Sequence, residues 1–230
     1  MNEKVFVVGG PIIQWVDPVL QLVPIGRGLL AQSIAEELER DYLFNVERLG
    51  NFEGSTCKTF QELADFFSLP VDAKAIIFLP HLPNVLIDTL ESKLRVEEGE
   101  MSQVEVKGAS KLIQLVKKQN PTTILIPFKL VAAEDTKVDI IRWMLDTKVG
   151  LVVYSRLGNS GQFWLMDVLG NEVAVSKQDL PKVLGQRITK LLSVVRRQSV
   201  RIGNQVPNVE YIDKLVEFSR KMQPAFSQLI

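Results

Sequence analysis

Lys4-Val5-Phe6-Val7-Val8-Gly9-Gly10 is an apolar run that ends in two glycines; from residue 28 the chain reads Gly28-Leu29-Leu30-Ala31-Gln32-Ser33-Ile34-Ala35-Glu36-Glu37-Leu38-Glu39-Arg40-Asp41. The first stretch is apolar at nearly every position, which marks a strand covered on both faces. The second puts Leu29, Leu30, Ile34, Ala35 and Leu38 on one face, with Glu36, Glu37 and Arg40 opposite. That spacing predicts an amphipathic helix. A buried strand that passes through glycines into a helix opens a βαβ unit, and the chain repeats the theme. Further strands are predicted at Leu43–Arg48, Ala75–Leu79, Thr123–Pro127 and Gly150–Ser155, with helices at Thr59–Phe67, Ser102–Gln119 and Asp135–Thr147. Thr59 with Glu62 three residues on fits a capping box. Lys117 and Lys118 suit the negative end of a helix dipole, and Pro121 marks the stop. The alternation implies right-handed crossovers and an α/β, Rossmann-like, doubly wound parallel sheet.

The last third changes character. Gln162–Asp167 and Glu172–Ser176 flank Val168-Leu169-Gly170-Asn171, which predicts a β-hairpin. Leu180–Leu192 and Asn208–Met222 read as helices, with a loop from Gly203 to Pro207 between them. The expected organisation is a Rossmann-like domain over 1–160, with the C-terminal β-hairpin and helices of 161–230 packed on the same domain.

Composition narrows the function. The chain has 230 residues, 27 Lys+Arg against 27 Asp+Glu, and a pI near 6.6. This balance argues against bulk electrostatic capture of nucleic acid. A single cysteine, Cys57, excludes an intrachain disulfide and a Cys-based zinc site, and a single histidine, His81, excludes two-His metal motifs, so no metal site is expected. Glu97, Glu98 and Glu100 form an acidic run whose spacing reads as a solvated segment. The apolar runs fall short of the ~18 residues of a membrane span, and Met1–Lys4 opens no secretion signal, so a soluble cytoplasmic protein is expected.

Charge is unevenly spread. Residues 180–230 carry nine Lys/Arg against three Asp/Glu, and 181–201 hold Lys182, Arg187, Lys190, Arg196, Arg197 and Arg201 with no acid. Such a stretch is either a solvated basic face or an anion patch; the absence of interleaved aromatics favours the former over single-strand binding.

Several segments in order resemble the short-chain dehydrogenase/reductase family. They are Val7-Val8-Gly9-Gly10, then Ile25-Gly26-Arg27 before the helix, Val71-Asp72-Ala73-Lys74-Ala75-Ile76-Ile77, Val104-Glu105-Val106-Lys107-Gly108-Ala109, Thr122–Pro127 and Glu134-Asp135-Thr136-Lys137. Together they span residues 4 to 155. Relative to that family Pro11–Pro24 looks like an insertion of about ten residues, and Pro24 stands where a glycine is expected. The resemblance implies a nucleotide site built on Gly9, Gly10 and Gly26, with Arg27 and Arg48 placed to select NADP.

The resemblance also implies that the chemistry is lost. If Lys137 is the remnant of the catalytic lysine, the tyrosine four residues before it is Ala133, and the relay asparagine is Glu105. Neither Tyr154 nor Tyr211 has a lysine four residues on. The expectation is therefore a non-catalytic binding, scaffold or regulatory subunit, with no cofactor or weak NADP affinity, joined to itself as a homo-oligomer or to a protein partner. The alternative is an active NADP-linked carbonyl reductase with relocated residues.

Three features stand outside that frame. His81, between Pro80 and Pro83, lies at a strand's carboxyl end, as either a functional or a loop histidine. Cys57 has Lys58 beside it, which lowers a thiol pKa when the two are close. The Pro11–Pro24 segment carries Ile12, Ile13, Trp15, Val19, Leu20, Leu22 and Val23, which must pack on their own domain or on a partner.

Overall fold

The computed structural model describes residues 3–16, 21–24, 26–82, 85–87, 106–108, 112–158 and 161–201; within these, the side chains of 85–87, 106–108 and 195–201 lie outside the description. In order, the elements are β1 (Lys4–Pro11), β2 (Gln14–Trp15), β3 (Gln21–Leu22), α1 (Leu29–Arg40), β4 (Asn45–Gly50), α2 (Phe60–Phe66), β5 (Ala75–His81), β6 (Val85–Ile87), β7 (Val106–Gly108), α3 (Leu112–Gln119), β8 (Ile124–Val131), α4 (Lys137–Thr147), β9 (Leu151–Arg156), β10 (Gln162–Asp167), β11 (Glu172–Ser176) and α5 (Leu180–Arg201).

Seven strands form one sheet in the order β11-β10-β9-β8-β5-β1-β4. The first five in sequence run parallel, and β10 and β11 close the far edge as an antiparallel hairpin. The expected α/β doubly wound architecture with its terminal hairpin is what forms. Counting the parallel strands alone, the order is 2-1-3-4-5, the flavodoxin-like arrangement, whereas the dinucleotide order 3-2-1-4-5-6 places two strands beyond the first.

Each sheet face is covered, which explains the unbroken apolar runs of the central strands. Phe6, Val8, Ile76 and Phe78 face α2, α3 and α4, where Phe60, Leu63, Leu112, Val116, Ile140 and Met144 meet them. Val5, Val7, Ala75 and Ile77 face α1 and α5, against Ile34, Leu38, Leu180, Leu184 and Ile188. The capping box at α2 forms as expected: the Glu62 backbone N–H donates to the Thr59 hydroxyl, and the Thr59 backbone N–H donates to the Glu62 carboxylate.

Three sequence expectations need correction. Ser102–Gln119 is not one helix: Val106–Gly108 pairs antiparallel with β6, and the helix starts at Leu112. Val106–Gly108 therefore does not open a long central helix, and Glu105 lies outside the described residues. The strand expected from Leu43 begins at Asn45, because Leu43 turns the chain at φ 53°. The helix from Leu180 runs on to Arg201. The helix expected at Asn208–Met222, with Tyr211, and the acidic run of Glu97, Glu98 and Glu100 lie outside the described residues. Among the described residues, no helix is long and apolar enough to cross a membrane.

Candidate functional site

Strand order decides where a ligand goes. The chain leaves β1 toward β4 on one side and later returns to β5 on the other, so the crossovers diverge between β1 and β5. In open α/β sheets the crevice outside the carboxyl ends of such a strand pair is the ligand-binding position. Here Gly9 pairs with Leu79, Gly10 with Pro80 and Pro11 with His81.

Backbone lines this crevice because the glycines leave no alternative. Gly10 holds φ 78°, and a Cβ there would overlap the Asn51 carbonyl. Only glycine meets both conditions at low cost. The Asn51 N–H donates to the Gly9 carbonyl at 3.0 Å, which draws the end of β4 against the end of β1. A Cβ on Gly9 would overlap that of Ala31, so α1 packs directly on β1.

Helix α1 opens on this crevice. Its N-cap is Gly28 in the left-handed region, which offers no side chain to the first-turn N–H groups. The first intrahelical bond runs from the Gln32 N–H to the Gly28 carbonyl at 3.0 Å. The N–H groups of Leu29, Leu30 and Ala31 precede it and have no earlier helical carbonyl to bond, and the helix dipole adds partial positive charge there. Such a terminus favours an anion.

The segment after β1 is structured. The Ile12 N–H donates to the His81 carbonyl at 3.1 Å, the Ile13 N–H to the Lys58 carbonyl at 3.0 Å, and the Phe60 N–H to the Ile13 carbonyl at 3.0 Å. Ile12 and Val16 are buried in their own domain, while Trp15 and Leu22 on the β2–β3 ribbon and Val23 just after it remain 42%, 37% and 44% exposed. Among its described residues the segment thus divides between self-packing and an open apolar rim; Val19 and Leu20 lie outside them.

The expected site residues separate into two groups. Gly9, Gly10, Gly26 and the exposed Arg27 gather at the crevice. Arg48 does not join them. It lies within β4, two residues before the strand's end, and its guanidinium grips Glu39 at 2.7 and 3.3 Å and the Glu53 carbonyl at 3.3 Å. Lys137 lies elsewhere, at the start of α4, with its Nζ 3.1 Å from Glu172. The Tyr154 phenol donates to the same Glu172 oxygen at 2.8 Å, and Trp164 stacks on the Tyr154 ring. Burial, and then Glu172, push that phenol up to about 12.

At Cys57, burial pushes the thiol up, against a hydrogen bond with Thr56 and with Glu62 and Glu47 adding to the shift. Among the described residues, no group of three His, Cys, Asp or Glu side chains is placed to hold a metal. Sequence reading missed Asn51 and Gly28. The signals available were the Gly50-Asn51 turn pair after a strand and the Gly26-x-Gly28 spacing before a helix.

No protein-family model matches the chain, and no curated protein matches its sequence. Solved structures do match. A DNA/pantothenate metabolism flavoprotein from Streptococcus pneumoniae superposes with a TM-score of 0.63 at 19% identity, over 83% of this chain and 99% of that one. The C-terminal domain of the coenzyme A biosynthesis bifunctional protein CoaBC gives 0.62 at 12%, over 84% and 97%. A histidine-to-alanine mutant of Cab2 in complex with phosphopantothenate-cysteine gives 0.62 at 12%, over 85% and 89%.

At these identities the likeness establishes the fold, and it overturns the expected kinship with short-chain dehydrogenases. The readings that followed from that kinship fall with it: a non-catalytic dehydrogenase-like scaffold, and its alternative, an NADP-linked carbonyl reductase. The physical reason for the error is that a glycine-ended strand before a helix is common to many α/β folds. The strand order that separates them is not local in sequence.

Proposed function

We propose that the crevice between the ends of β1 and β5 binds a phosphorylated pantothenate derivative, and that the chain acts on such a ligand in the cytoplasm. The observation that carries this reading is the joint position of Gly9, Gly10 and the open N-terminus of α1 at the one place where the sheet order reverses. The likeness to the Cab2 complex with phosphopantothenate-cysteine, over 85% of this chain, supports the choice of ligand. A phosphate group at the α1 terminus meets N–H donors and the positive end of the dipole. Arg27, exposed one residue before the Gly28 cap, supplies a permanent positive charge.

A thermal melt tests this. At a hundredfold its dissociation constant a ligand adds about 2.7 kcal/mol, which for a chain of this size raises the midpoint by roughly 5–10 °C. Phosphopantothenate and phosphopantothenate-cysteine are expected to give such a shift. NADP(H) is expected to give none, since Arg48 is held by Glu39. A shift with NADP(H) and none with the pantothenate compounds refutes the reading.

Self-association belongs to the same proposal, with the exposed rim of Trp15, Leu22 and Val23 as the candidate contact. Light scattering on the eluting peak distinguishes 25.9 kDa from a multiple of it.

A further inference from the structure

His81 is the single histidine of the chain and the last residue of β5. Its backbone is pinned by the bond from Ile12 and by pairing with Pro11. Its side chain is exposed, yet the ring has a defined seat. A Cβ built on Gly26 would lie 2.6 Å from Nδ1 and 3.0 Å from Cε1, so the imidazole lies against Gly26, and a side chain there would push the ring aside. Gly26 is two residues before the α1 cap, so the ring stands beside the helix terminus as well as at the strand ends. With Arg48 taken by Glu39, the imidazole stands as a nitrogen donor at the carboxyl end of a strand beside this crevice.

We propose that His81 is the side chain that distinguishes the phosphate of the ligand, with its ring seated against Gly26. The inference rests on the reading above for the identity of the ligand. A ring N–H donates to a phosphate oxygen, and a bond with an ionised acceptor is about twice as strong as a neutral one. Removing it is expected to lower affinity for the phosphorylated ligand about tenfold to a hundredfold, with the unphosphorylated analogue unaffected.

A sole histidine makes the test direct, because its Cε1–H and Cδ2–H resonances need no assignment by mutation. Phosphopantothenate, pantothenate and inorganic phosphate are titrated into the full chain at fixed pH and ionic strength, with NMR of the ring and calorimetric affinities. The expected result is movement of both ring signals with phosphopantothenate and not with pantothenate. His81→Ala and Gly26→Ala are expected to erase the preference for the phosphorylated form, and His81→Gln, which keeps an N–H, to retain part of it. Saturable binding of phosphopantothenate with the ring signals still, or an unchanged preference in folded His81→Ala, overturns the inference and leaves the ligand reading standing. Ring movement with inorganic phosphate while phosphopantothenate fails to bind overturns the ligand reading and supports phosphate recognition by His81. Silence with all three probes overturns both.

Discussion

Replacing Tyr154 with Phe probes the polar cluster around Lys137, the one residue that the sequence presented as a remnant of catalysis. The Tyr154 ring is 1% exposed, and its hydroxyl donates to Glu172 at 2.8 Å, where Lys137 also pairs at 3.1 Å. A hydrogen bond to a charged group contributes about 1.5–3 kcal/mol. Phe keeps the stack on Trp164, and Lys137 still neutralises Glu172, so the loss belongs at the lower end, about 1.5–2 kcal/mol. That corresponds to a fall in melting temperature of roughly 3–8 °C for a chain of this length.

The sign of the pH dependence follows from the raised phenol. Its ordinary value is 10 and its folded value about 12. The hydrogen bond therefore stabilises the fold fully below about pH 10 and is lost as the pH rises through the folded value. Urea melts at pH 8 measure the stability loss, and absorbance at 295 nm follows the phenolates, of which the highest-titrating is expected to vanish in Tyr154→Phe. A stability change below about 0.5 kcal/mol, or wild-type phenols that all ionise near pH 10, refutes the reasoning.

Other substitutions give separable outcomes. Gly10→Ala forces a Cβ into the left-handed region and onto the Asn51 carbonyl, and is expected to cost about 2–3 kcal/mol in a denaturant melt. Thr59→Ala removes half of the α2 capping box and is expected to cost about 1 kcal/mol. Cys57, its thiol raised by burial, is expected to react with a disulfide reagent at pH 8 several-fold more slowly than free cysteine, and to reach the free rate in urea. Arg48→Ala is expected to loosen the Glu39 contact, with no change in the response to NADP(H) on a thermal melt.

The parallel core was readable because its strands are buried on both faces: Ala75-Ile76-Ile77-Phe78-Leu79 admits no polar residue, and the predicted boundaries differ from β5 only at the carboxyl end. Hairpin β10–β11 was readable because Gly170 takes φ 81° in a turn between two short apolar runs. The β6–β7 ribbon was not. Three residues, Val106-Lys107-Gly108, carry too little pattern to break a helical period that continues through Ile113 and Val116. Arg48 misled for a different reason. Its partner Glu39 is on α1, and only the packing of α1 beside β4 brings the two together. Gly9, Gly10 and Gly26 were noticed as glycines, but the ring of His81 against Gly26 arises between the end of β5 and the segment before α1, 55 residues apart. Strand order likewise left no local trace, and with it went the distinction between two α/β families.

Hydrogen exchange with and without phosphopantothenate-cysteine tests the location and the ligand together. The account predicts slowed exchange at residues 9–12, 26–32, 50–52 and 79–82, with the Lys137–Tyr154–Glu172 cluster unchanged. Protection confined to that cluster, or no protection at saturating ligand, contradicts it.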